Sequence, residues 1–563
     1  MARKQTVIKL FLVVLIAVLI GFMHGIPHLI IPNLLSTQGQ QYTPFSLDTK
    51  NAQSAFEEMY AYAPQVQAVL RGQVDSFVRT PFFGEIFPSF AYALLARIFG
   101  SVPAAFVVAD FIFPTLTFLC LFWLIFRGTK KFSLSIFMAV AVVVVWNVAY
   151  YLPRPNLTWD FLWDFRSSGF LELSRGFHPQ FSFLVLISAS TLLHECLISN
   201  GRKRIVFAVL AIIAGGLLFY TYAFYWMFWV STIFMVALYS FLNENKSSFI
   251  TTFVVILGTV MVGLPYFYNS FLFSQTPEAA DFLSKTTIPV KNLFPDFTIK
   301  YLLFALIFYF WPRKKNALDV IIFSSLVASA LLPLATQVGL GRDLEKFHFI
   351  RRAFFPFSVV AMGIMLGSLK IRWGKILFSG LTGGLLFLGF VHQIVPAKLY
   401  SQSFVLAPEK QALFSWLNEN TKPGSSIAMI NLMDSLEFPS STHLSLFVPS
   451  VDRTTITSQS VAERYFCLLK LLGVPADTVN SWFKTGSNNR LLTHLYYFSH
   501  SDRADMKNTF TSNYIAFSNQ GCLSPDYVLI DFAKDSGDTV KTAGNSHKIV
   551  YNYGGHMVLS IKQ

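Results

Sequence analysis

Long apolar runs recur along the first 395 residues, with short polar turns between them. After a basic start (Arg3, Lys4, Lys9), one run reaches about residue 22 with no clear small-residue cleavage site behind it, which predicts a retained first span. Further runs cover 104–126, 132–151, 181–198, 205–219, 222–242, 249–268, 299–311, 318–335, 354–369 and 376–395. Several are shorter than the roughly 20 residues a straight span needs, but together they predict about eleven spans.

The polar turns test that count. RGTKK (127–131), GRKR (201–204), NENK (243–246), PRKK (312–315) and KIRWGK (370–375) are all short and all carry Lys or Arg. The alternate connections are longer or nearly absent. Basic residues concentrate in short cytoplasmic turns, so an odd number of spans puts the N-terminus in the cytoplasm and the tail outside it. The fold expected is a polytopic α-helical membrane protein with a small extracytoplasmic α/β domain. Residues 1–395 form the membrane domain, including an outer loop at 24–102, and residues 396–563 form the tail.

In the outer loop, FSLDTKNAQSAFEEMYAYAPQVQAVLRG (45–72) places Tyr60, Tyr62, Val66, Val69 and Leu70 at helical spacing, with Gly72 as a stop. This predicts an amphipathic helix with Asp48, Glu57 and Glu58 at its start. Residues 86–99 predict a second amphipathic helix resting on the bilayer. In the tail, helices are expected at 408–420, 461–472 and 476–485. Strands are expected at 426–432, 527–532, 548–553 and 557–561, with Gly554-Gly555 as a hairpin turn.

Composition agrees with a membrane protein: 53% of the 563 residues are hydrophobic and 13% are charged, against roughly 25% charged in soluble domains. The net charge of +14 sits largely in the turns, which makes it a topology signal and argues against nucleic acid as a partner. The four cysteines lack metal-ligand spacing. Cys467 and Cys522 share the tail, where an oxidising compartment allows a disulfide.

Two outer loops are unusually basic. Residues 152–180 contain Asp160, Asp164, Arg175 and His178, and VGLGRDLEKFHFIRR (338–352) contains Glu345, His348, Arg351 and Arg352. Such side chains can simply reach to lipid headgroups. They also suit an anionic ligand such as a lipid-linked phosphate, whose oxygens the planar Arg fork matches. Acids in an outer loop can likewise merely solvate it. His194 and Glu195 read as an interfacial pair.

The stretch Glu57-Glu58-Met59-Tyr60-Ala61-Tyr62-Ala63-Pro64, followed by Val69-Leu70-Arg71-Gly72, resembles the GT-C glycosyltransferases. Their outer loop often reads Asp-Glu-x-x-Tyr-Ala before a helix closed by Gly. PFFGEIFPSFAYALLARIFG resembles their second loop helix, and SWLNENTKPGSSIAMI and KIVYNYGGHMVLSIK resemble the start and end of their small outer domain. The usual Asp is absent here. Glu57 or Glu58 stands in for it, depending on whether Tyr60 or Tyr62 aligns, and Asp48 is a third choice. A second acid of the family would fall on Asp160 or Asp164.

The resemblance implies sugar transfer, inverting in type, from a polyprenyl-phosphate donor to an unidentified acceptor outside the plasma membrane. Glu58 would be the base, with Glu57 next. Tyr62 and the loop residues would bind substrate, and a divalent metal such as Mg or Mn is an open requirement. A transporter or flippase of a lipid-linked substrate is the alternative from another class. Against it, transporters place ionisable groups inside their spans. A non-catalytic scaffold relative also stays open, because of the missing Asp.

Overall fold

The computed structural model describes residues 2–48, 53–151, 170–286, 288–289, 296–340, 342–343, 347–369, 373–450, 453–484, 494–495, 503–518, 520–533, 535 and 547–561. The chain is a polytopic α-helical membrane protein with a small α/β domain at its C-terminal end. Each of the eleven apolar runs falls on a helix. Among the described residues, ten helical segments are long and apolar enough to cross a membrane, and 132–144 and 298–310 are shorter apolar helices. The first helix, Ala2–Gly25, buries Val13, Ile16, Ile20 and Met23 and exposes Val7, Ile8, Phe11 and Val18. That outward apolar face suits lipid.

The basic turns meet at one end of the bundle. Lys9 lies 5.6 Å from the centre of the Phe132 ring. Arg127 pairs with Glu195, its Nε 2.6 Å from Oε1. Asn316 donates to the Gly128 carbonyl at 3.0 Å, Lys131 donates to the Gly367 carbonyl, and Arg204 donates to the Ser199 carbonyl at 2.8 Å. The expected interfacial pair at 194–195 is therefore a buried anchor for Arg127. The tail lies at the other end, where Gln41–Tyr42 pairs antiparallel with Val405–Leu406 and Arg71 donates to the Thr442 carbonyl at 2.6 Å.

Helix Ile86–Phe99 has 14 residues, about 21 Å at 1.5 Å per residue, short of a bilayer core of about 30 Å. Ser89 donates to Gln65 at 3.1 Å, and Gly100, in the left-handed region at φ +88°, turns the chain straight into the next span, Val102–Thr129. Phe90, Leu94 and Ile98, four residues apart, form its exposed stripe. With the turn before it the helix makes Pro81–Phe99, one of the ten segments counted above, and its single exposed apolar stripe also suits a helix lying on the bilayer.

The tail holds a five-stranded sheet. In spatial order its strands are Ser445–Leu446, Ser426–Met429, Tyr527–Asp531, His556–Ser560 and Lys548–Tyr553. The first three run parallel and the last two join antiparallel. Helices Pro408–Asn420 and Ser458–Leu471 bury Leu413, Leu417, Tyr465 and Leu468 among the strand residues Ile427, Val528 and Leu559. Cys467 and Cys522 form a disulfide. The two-residue strand at 445 and helix Arg503–Ala516 were not expected from the sequence. The first is too short to show alternation, and the second carries little apolar periodicity.

Candidate functional site

The expected single helix in the outer loop is three pieces. Gln53–Glu57 is α-helical, Glu58–Tyr62 is one π turn, and Ala63–Leu70 is α-helical again. The cause is Pro64. A proline inside an α-helix has no N–H to donate and its ring crowds the carbonyl four residues back. Widening the preceding turn relieves both, and the Ala63 N–H bonds to the Glu58 carbonyl instead. The same device recurs at Ile350–Phe354, where the Phe355 N–H bonds to the Ile350 carbonyl ahead of Pro356.

The first π turn carries Glu58, which is 7% exposed. Its Oε1 accepts the Gly176 N–H at 2.6 Å. Burial pushes its carboxyl well above the ordinary carboxylate range, and the nearby charge of Asp110 adds to this; the Gly176 N–H pulls the other way. Glu57, one residue back, pairs with Arg175. Two consecutive acids thus have different roles: one neutralises a cation, and the other sits buried against a backbone N–H.

Arg175, Gly176 and His178 come from a segment held by a buried polar network. Gln180 donates to the Leu173 carbonyl at 2.8 Å and to Asp110, and it accepts from the Tyr92 hydroxyl at 2.7 Å. Asp110 also meets His28 Nε2 at 2.8 Å, and Ser174 Oγ meets His24 Nδ1 at 2.9 Å. These bonds fix the segment from both flanks. Phe177 then stacks on Tyr62 with centroids 4.6 Å apart.

The second π turn brings the cations. Arg351 meets Oε2 of Glu172 at 2.5 Å. Arg352, 4% exposed, donates to the Tyr222 hydroxyl at 2.6 Å, and its guanidinium lies 5.0 Å from the centre of that ring. The Tyr222 hydroxyl also contacts His348 Nδ1. His178 stacks on Tyr222 at 4.2 Å and meets Glu85 at 3.5 Å. Burial and the neighbouring Arg352 and Arg351 guanidiniums lower the proton affinity of Arg175, the signature of cations crowded together. Burial also brings His178 down to about 4, which leaves its ring neutral at ordinary pH.

Glu57, Glu58, Tyr62, Arg175, His178, His348, Arg351 and Arg352 are thus linked to one another by these contacts. Asp48 accepts from Ser403 Oγ at 2.8 Å and lines a cleft of about 270 Å³ with Met59, Lys410 and Glu437, against the tail. Asp160, Asp164 and Glu345 lie outside the described residues.

Four contributors escaped the sequence reading: Glu85, Asp110, Tyr222 and Arg453, whose guanidinium lies 5.5 Å from the centre of the Tyr62 ring. A lone acid in PFFGEIF and an Asp within an apolar span were readable signals for the first two. Nothing local marks Tyr222 or Arg453. Among the described residues, no group of three or more His, Cys, Asp or Glu side chains is placed to hold a metal ion. Glu57, Glu85 and Glu172 each face a basic side chain.

No protein-family description matches the chain, and no curated protein matches its sequence. Among solved structures it is similar to ArnT from Cupriavidus metallidurans. The form bound to undecaprenyl phosphate matches at TM-score 0.48 and 9% identity, over 100% of this chain and 98% of that one. The apo form matches at 0.47 and 10%, over the same shares.

Proposed function

We propose that this chain is a membrane glycosyltransferase that moves a sugar from a polyprenyl-phosphate donor to an acceptor on the extracytoplasmic face. The observation that carries this reading is one dipeptide. Arg175-Gly176 joins the buried carboxyl of Glu58 to a crowd of guanidiniums, Arg175, Arg351 and Arg352, at the tail end of the bundle.

The chemistry needs both halves. Glu58 takes the acceptor hydroxyl proton, its raised proton affinity bringing it nearer to working pH. The acceptor oxygen bonds to the anomeric carbon as the bond from that carbon to the phosphate oxygen breaks. The electron pair stays on the phosphate, where the guanidiniums stabilise the developing charge. One displacement inverts the anomeric centre. The isoprenoid chain lies in grooves between the spans and helix Ile86–Phe99.

Orientation rests on the basic turns, which lie at the end opposite the tail and read as cytoplasmic. The Cys467–Cys522 disulfide supports an oxidising compartment for the tail.

The test is transfer of radiolabelled sugar from a panel of polyprenyl-phosphate donors by purified protein in lipid. Wild type should transfer, Glu58→Gln should bind donor without transfer, and Arg352→Ala should lose binding. Donor binding with no transfer by wild type would favour a non-catalytic relative. No donor binding at all would sink the reading.

A further inference from the structure

Arg453 belongs to the tail, yet it sits on the turn that carries Glu58. Its guanidinium lies 5.5 Å from the centre of the Tyr62 ring and 5.6 Å from that of Tyr60. Its NH1 is 3.8 Å from Glu85 Oε2, and the other oxygen of that carboxylate faces His178 at 3.5 Å. Tyr62 meets His178 edge to face at 5.5 Å. Arg453 thus shares its immediate neighbours with the site, and its charge also contributes to lowering the proton affinity of Arg175.

The placement is held from both sides. Thr442 accepts from Arg71 at 2.6 Å, and the Ser458 N–H donates to Asp281 at 3.0 Å. Arg453 lies between these two anchors, so the tail segment that carries it is fixed at both ends to loops of the membrane domain. A tail that only covered the bundle would have no need to bring a cation to this place. Among the described residues, Arg175, Arg351 and Arg453 lie against Glu57, Glu172 and Glu85, and Arg352 donates to the Tyr222 hydroxyl beside them. The planar forks of guanidiniums gathered in one place suit the oxygens of a phosphate.

We propose that Arg453 is a direct ligand of the departing phosphate, so that the tail completes the site. This rests on the reading that the site takes a lipid-linked phosphate. The charge count gives Arg453 a particular task. A polyprenyl-phosphate sugar is a phosphodiester with one negative charge. Breaking its bond to the sugar leaves a monoester approaching two. A guanidinium beside the Glu58 turn meets the charge that appears during the reaction. Its loss therefore lowers kcat more than it raises KM for donor, and it weakens binding of the product, polyprenyl phosphate.

The experiment measures binding of polyprenyl phosphate to the full chain in phosphatidylcholine nanodiscs, with size exclusion and an intact Cys467–Cys522 disulfide as folding controls. Arg453→Gln should weaken binding about tenfold or more, Arg453→Lys should recover part of it, and Arg464→Gln should match wild type. Arg464 donates to the Phe447 carbonyl within the tail and serves as the control. If Arg453→Gln binds like wild type while Arg352→Ala loses binding, the inference fails and the phosphate reading stands. Equal loss in Arg453→Lys and Arg453→Gln would also overturn it, since charge would not be what matters. If wild type does not bind, or Arg352→Ala binds as wild type does, the phosphate reading fails and takes the inference with it.

Discussion

Gly176 and Glu58, 118 residues apart in sequence, are joined by one hydrogen bond of 2.6 Å from backbone to carboxylate. A Cβ at Gly176 would stand 3.0 Å from that same oxygen and 3.1 Å from the Phe106 ring. Gly176→Ala should therefore shift the Glu58 carboxyl by a few tenths of an ångström against its donor. Misplacement on the order of 1 Å costs up to about a hundredfold in rate, so a smaller fall is expected here. The expected result is reduced transfer with donor binding kept, measured by single-turnover assay.

Removing the base itself gives a different signature. Glu58→Gln should lower transfer by about 10²–10⁴-fold. In wild type, transfer should rise with pH along a limb displaced above the ordinary 4.5 of a glutamate, because burial raises this carboxyl and only its ionised form accepts a proton. A limb that persists unchanged in Glu58→Gln would assign it to another group.

The Glu57–Arg175 pair is half-buried, with side chains 14% and 20% exposed. Breaking a fully buried pair from one side costs about 3–5 kcal/mol, because a charge is left behind, and partial exposure reduces that figure. Arg175→Met alone should destabilise the protein by about 1–3 kcal/mol. Arg175→Met with Glu57→Gln should recover part of the loss, and a double-mutant cycle by thermal unfolding in detergent measures the coupling.

His178 sets a pH dependence of stability. Its folded value near 4 lies below the ordinary 6.5, so the unfolded chain binds the extra proton between those values. Its contribution is fully present above 6.5 and is lost as pH falls toward 4, by up to about 1.4 kcal/mol per pH unit. Glu58, raised on folding, slopes the opposite way above 4.5. The check is therefore a difference: the melting temperature of His178→Asn should depend less steeply on acidification than that of wild type across this window.

The tail disulfide spans 55 residues of sequence. Closing a loop of that size stabilises a domain by about 4 kcal/mol in the chain-entropy account. Cys467→Ser with Cys522→Ser should lower the tail's unfolding midpoint accordingly, read by proteolysis of the tail. Added reductant should have the same effect on wild type and none on the double variant.

Much of this was legible in the chain. Apolar runs and basic turns report the bundle because burial in lipid demands both, and among the described residues each run falls on a helix. Glu57, Glu58, Arg175, Arg351 and Arg352 stood out as charges where charges are scarce. Tyr222 was hidden because a tyrosine at the head of an apolar span looks like any interfacial aromatic. Arg453 was hidden because its meaning lies in docking 391 residues away from Tyr62, which no local pattern encodes.

The two prolines at 64 and 356 have one more consequence. A residue of α-helix advances the side chains by about 100°. The extra residue in each widened turn shifts the phase of everything upstream by about that angle relative to everything downstream. Val66 and Val69 can thus face the core while Glu58 keeps its own bearing, and Arg352 is aimed independently of the span that follows it. Anchorage and aim are separate settings of the same rod, and a proline six residues beyond the start of each turn is the dial between them.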